Sequence, residues 1–166
     1  MNKQLTNSIF YFLENLGAGV WIGSIAMFGI AVAGVIFREA GSINLAGSLN
    51  GKILARLNII ETVSSVLMSI AAIYFLLQSE ERDTLRVIKT ALLVVMIVLL
   101  IVYGKFLTDR LEQLRVVEIV DFDNFNTAKQ AFRDEFNQLH KLYTQLTSAN
   151  LFMALGFLAL SAFQKR

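Results

Sequence analysis

Four separate runs of about twenty apolar residues dominate this chain. That is the length a helix needs to cross a hydrocarbon core of roughly 30 Å. The runs fall at about 16–37, 57–77, 87–104 and 146–163, and the central one contains the unbroken stretch from Leu92 to Leu100. None alternates apolar and polar residues in the manner of a membrane β-strand. A soluble domain has no use for four such stretches. The expected fold is therefore all-α, a four-helix transmembrane bundle in one domain of 166 residues. The hydrophobic share of 55% and mean hydropathy of +0.58 agree, since both exceed what a soluble core of this size requires.

The first run includes Ala31-Val32-Ala33, a pattern that signal peptidases recognise. Its apolar stretch is too long for a signal core and Lys3 is the only nearby positive charge, so a retained span is expected. The chain contains no Pro, which predicts straight helices and argues against a transporter built on broken ones. With no Cys there is no disulfide, thiolate site or thiol nucleophile. A net charge of +2 offers no polybasic field, so nucleic acid is not an expected partner. The expected surroundings are a lipid bilayer, in an inner or plasma membrane.

Between about 105 and 145 the chain becomes polar but keeps a helical rhythm. Leu107, Leu111 and Leu114 form one seam, and Phe132, Phe136, Leu139, Tyr143 and Leu146 form its return. Residues 121–126 read as the turn, and Thr127-Ala128-Lys129-Gln130 fits a capping box. Spans three and four are thus expected to extend out of the membrane as an antiparallel helical hairpin. Gly41, Gly47 and Gly51 read as flexible turns of the first loop. On the hairpin side lie Arg38, Lys52, Arg56, Lys105, Arg110, Arg115, Lys129, Arg133 and Lys141. Lys3, Arg82, Arg86, Lys89, Lys165 and Arg166 lie opposite, and this imbalance favours a cytoplasmic hairpin.

Several residues stand out inside this frame. Gly19 and Gly23 make a G-x-x-x-G that suits close helix packing, within the bundle or between copies. Asn58, Glu61, Ser65 and Ser69 line one face of the second span, and lipid offers such a face no hydrogen bonds. Glu61 is an ionisable residue within a span, expected either to pair with a cation such as Arg56 or to form part of a site. His140 is the sole histidine, which excludes a four-ligand zinc site of His and Cys and bis-His haem ligation within the chain. No cofactor and no metal are expected. Topology brings Arg38, Arg56, Glu61, Tyr103, Arg110 and His140 towards one membrane face, where they are expected to form a polar pocket. No nucleotide loop or hydrolase motif is present, so the expectation is not an enzyme.

Three groups of residues carry a resemblance. Trp21-Ile22-Gly23-Ser24, Phe37 and Ala46-Gly47 form the first, Tyr103 and Arg110 the second, and Phe136-Asn137-Gln138-Leu139-His140 with Asn150-Leu151 the third. In this order, across four spans, they resemble the transmembrane protein 205 family, small four-span proteins classed as a domain of unknown function. Many members carry Ala-Pro before the Phe, where this chain reads Ala33-Gly34-Val35-Ile36-Phe37. The resemblance marks Arg110 and His140 as shared positions. It also implies tolerance to metal-containing drugs through sulfur-bearing residues, but here there is no Cys, and Met27, Met68, Met96 and Met153 form no evident ladder. Two functions follow as expectations: handling of a small solute or ion in the polar pocket, or service as an accessory subunit of a larger membrane complex.

Overall fold

The computed structural model describes residues 3–78 and 84–163. Four helices make up nearly all of it: α1 (Lys3–Glu39), α2 (Ile43–Gln78), α3 (Thr84–Ile119) and α4 (Thr127–Phe163). Each is long and apolar enough to cross a membrane. The protein is an all-α, multi-pass integral membrane bundle. Arg82, Lys165 and Arg166, which entered the charge comparison, lie outside the described residues.

At 1.5 Å per residue each helix is about 54 Å long, some 24 Å more than a bilayer core. The extension is shared more widely than the seam pattern suggests. Residues 43–56, expected as part of a loop, are helical, so α1 and α2 project beside the hairpin of α3 and α4. Only Gly41 of the three loop glycines sits in a turn, at φ +71°, where a side chain would be strained. Gly47 and Gly51 are inside α2.

The core is a stripe from each helix: Ala18, Trp21 and Ile25 from α1, Met68, Ala71 and Phe75 from α2, Leu93, Met96, Leu100, Tyr103 and Leu107 from α3, and Tyr143, Ala154 and Phe157 from α4. Spacings of three and four keep each set on one helix face. The hairpin seam continues this packing through buried Leu107 and Leu114, whereas Phe132 is exposed.

Helix packing corrects the glycine expectation. Nothing lies within 4 Å of where a Cβ at Gly19 or Gly23 would stand, so this pair is not the intramolecular contact. Gly17 is, because a Cβ there would meet Met68 Cγ at 2.8 Å and the Ser64 carbonyl at 2.9 Å. Nor are the Pro-free helices regular throughout. π-helical turns interrupt α1 at Phe28–Val32 and α3 at Val102–Leu107 and Leu114–Ile119.

The turn between α3 and α4 is tied to the start of α2. Asp123 accepts from the backbone N–H of Ile43 (2.7 Å) and of Asn44 (3.3 Å), capping the free amides of that helix end. Asn44 returns the contact, donating to Asp121 at 2.7 Å and accepting from Phe122 N at 2.8 Å. Asp121 also accepts from the backbone amides of Asn124 and Asp123, both at 2.9 Å. These donors, the Asn124 amide foremost and the Asn44 side chain next, hold its carboxyl down at about 2. The cap of α4 is Asn126, which accepts from Ala128 N at 2.9 Å, in place of the expected Thr127 box. The chain leaves α3 through Val120 at φ +70°, an uncommon value for a β-branched residue.

Candidate functional site: a cleft above a buried hydrogen-bond network

Glu61 is 2% exposed, and its hydrogen-bond partners come from α1 and α3. Trp21 Nε1 donates to its Oε1 at 3.1 Å, and the Tyr103 hydroxyl donates to the same oxygen at 3.0 Å. Asn150 Nδ2 donates in turn to the Tyr103 oxygen at 2.9 Å and to the Met96 carbonyl at 3.1 Å. One chain of hydrogen bonds thus links α1, α2, α3 and α4 at a level where lipid and core supply no other partners. The π-helical turn at Val102–Leu107 belongs to this arrangement. Within it, Gly104 presents its carbonyl to Asn58 Nδ2 at 3.2 Å, and its missing side chain leaves room for that amide, which lies 3.3 Å from where a Cβ would be.

The expected pairing of Glu61 with Arg56 is not formed, and no ion pair to Glu61 exists among the described residues. The expected pocket therefore separates into parts. Glu61 and Tyr103 meet in the core. Arg110 is occupied by Glu135 through two bonds of 2.7 and 2.8 Å, a forked lock between α3 and α4. Arg38 is exposed and folds back on the Gly34 carbonyl at 3.2 Å. His140 stacks in parallel on Phe136, centroids 6.1 Å apart, and faces a different space.

That space is a cleft of about 310 Å³ between the outward half of α2 and the hairpin. Leu54, Leu111, Phe136 and Tyr143 give it apolar walls. Tyr143 packs edge-on against Tyr103 with centroids 5.5 Å apart, so the cleft floor rests on the Glu61 network. Asn50 also lines the cleft and is 8% exposed, and its side-chain oxygen has no hydrogen-bond partner. Gly47 and Gly51 create the room: their nearest neighbours are Arg115 Cδ and Glu112 Oε2, at 3.6 and 3.7 Å from a notional Cβ. The tied turn closes the outer end, through Asn44 and Phe122.

A family model described as a domain of unknown function, DUF4149, matches residues 16–119. The chain belongs to the DUF4149 family. The match covers α1, α2 and α3 from Leu16 on, and so takes in Trp21, Glu61 and Tyr103 and the α2 wall of the cleft. No curated protein and no solved structure matches this DUF4149 protein.

Sequence reasoning missed a second buried polar pair. Near the opposite end of the bundle Lys89 bonds Glu14 at 2.5 Å, each side chain 4% exposed, with Lys89 Nζ also 4.9 Å from the centre of the Phe157 ring. Glu14 is buried with Gly17, Ala18, Trp21 and Ile25, at offsets of three, four, seven and eleven, and that periodicity was the available signal. The cleft residues Asn50, Gly47 and Gly51 carried none. They are visible as a site only once 43–56 is known to be helical.

Proposed function

We propose that this DUF4149 protein is a non-enzymatic membrane protein that binds a small solute in the cleft between α2 and the hairpin. The observation that carries the reading is the cleft itself. It has about 310 Å³ of space with mainly apolar walls and a few uncommitted polar groups, a composition that suits small-molecule sites. The floor supports it too, since a four-helix hydrogen-bond network fixes Tyr143 through Tyr103. An ion in place of a solute draws less support, because the Glu61 oxygen already receives two donors.

The resemblance to the transmembrane protein 205 family extends the kinship past residue 119, through Phe136–His140 and Asn150-Leu151. An inner or plasma membrane, with the hairpin cytoplasmic, completes the reading.

The test is the intact mass of the protein purified gently from its own membranes. A reproducible small adduct that disappears in Gly51→Leu, which fills the cleft, is the expected result. Wild-type protein that carries no adduct and whose stability responds to no small molecule would sink the proposal. The rival is an accessory subunit that docks through the hairpin, and it draws on Val116, Val117 and Val120, exposed together near the end of α3. A particle containing a second polypeptide, lost when Val117→Lys is introduced, would favour that rival.

A further inference from the structure

Resting on the cleft reading above, the distribution of charge along the cleft specifies its occupant. Two guanidinium groups line the outer part, and their commitments are few. Arg115 gives one nitrogen, Nη2, to both oxygens of Glu112 at 2.8 and 2.7 Å, which leaves Nε and Nη1 without a partner among the described residues. Arg133 lies over the Phe125 ring at 4.4 Å and has no carboxylate partner among the described residues. Glu112 is the only carboxylate among the described residues that line the cleft, and it engages Arg115. Asp121 and Asp123 in the turn beyond are occupied by the Ile43 and Asn44 donors, so Arg133 is the cation there without a carboxylate partner among the described residues. Arginine forks match the planar oxygens of carboxylate and phosphate.

The inner part is of opposite character. From Arg133 to Tyr143 along α4 is ten residues, or about 15 Å of helix axis. Over that distance the wall changes from guanidinium, past Asn137 and His140, to Leu111, Leu54 and the Tyr143 ring. Between the two regions stands Asn50, nine-tenths buried, its side-chain oxygen shielded and without a hydrogen-bond partner among the described residues. A charged end followed by an apolar slot describes a molecule with those two parts. We infer that the cleft takes a single-chain anionic amphiphile, its carboxylate or phosphate head between Arg115 and Arg133 and its chain over Leu54, Leu111 and Tyr143. Free phosphate shares the head chemistry without the chain, and the experiment separates the two.

The test uses the full chain in nanodiscs of neutral lipid, titrated calorimetrically with laurate, dodecyl phosphate, dodecanol and inorganic phosphate. Laurate and dodecyl phosphate should bind roughly tenfold or more tighter than dodecanol, the worth of one charge-assisted contact. Arg133→Gln should collapse that difference and Arg133→Lys should keep part of it. If Arg133→Gln fails to fold, the wild-type series decides alone. Dodecanol binding as tightly as laurate overturns the anionic head and leaves the cleft reading intact. Inorganic phosphate binding as tightly as dodecyl phosphate overturns the amphiphile in favour of a free anion. If nothing binds, and Gly51→Leu is indistinguishable from wild type, both the amphiphile and the cleft reading fail.

Discussion

Adding one methyl group at Gly17 tests the helix packing directly. A Cβ there would sit 2.8 Å from Met68 Cγ and 2.9 Å from the Ser64 carbonyl, both well inside ordinary contact. Met68 is fully buried and cannot swing clear, and the carbonyl belongs to the backbone of α2. The helices must separate, and overpacking of this kind costs about 1–3 kcal/mol. Alanine is the better helix former by roughly 0.5–1 kcal/mol, which offsets part of it. The net expectation for Gly17→Ala is a loss of about 1 kcal/mol, the difference between the middles of those two ranges. At Gly19 nothing lies within 4 Å, so Gly19→Ala should gain roughly 0.5–1 kcal/mol from the helix alone. The chain has one Trp, fully buried Trp21, so its fluorescence during unfolding in mixed micelles reports the bundle itself. The two variants should move the midpoint in opposite directions. Gly17→Ala as stable as Gly19→Ala would refute the claim that α1 and α2 meet at Gly17.

The same unfolding assay checks the buried polar groups. Tyr103→Phe removes the donor to Glu61 and the acceptor of Asn150, and should cost about 1–3 kcal/mol; no loss would mean that the network is not formed. Breaking the buried pair with Lys89→Met should cost about 3–5 kcal/mol, and adding Glu14→Gln should restore much of it. Equal loss in the single and double variants would show that the two side chains do not interact. For Asp121 the folded carboxyl is held at about 2, below its ordinary value of 3.8, so its contribution is fully present above about pH 4 and is lost as pH falls through 2. Amide exchange of Phe122 and Asn124 should accelerate across that window relative to Asp121→Asn, and a pH-independent ratio would count against the tie.

Apolar run length made the four helices legible, because bilayer thickness imposes it residue by residue. Polar periodicity likewise placed Glu61 and Ser65 inside the bundle, where they are buried. The outward half of α2 was illegible for a local reason. Gly41, Gly47 and Gly51 lower helix propensity, and residues 43–56 gain their order from Asp123 and Asn44, a contact between positions 79 and 80 residues apart. The separation of Arg110 from Glu61 was equally hidden. Charge and membrane depth indicate which residues share a level, whereas the choice of Glu135 over Glu61 depends on which face of α3 each residue occupies.

The tie between Ile43 and Asp123 also orders biogenesis. Asp123 is synthesised 80 residues after Ile43, so at 5–20 residues per second the first helical pair waits roughly 4–16 seconds before its connecting end can be capped. During that interval α1 and α2 can already be in the membrane while the first turns of α2 have free amide groups. Insertion of the second pair with the same polarity is then a precondition for closing the cleft. A topology error in α3 would leave two correctly inserted helices with an unfinished end, a form that quality-control proteases could recognise while its apolar core remains in lipid.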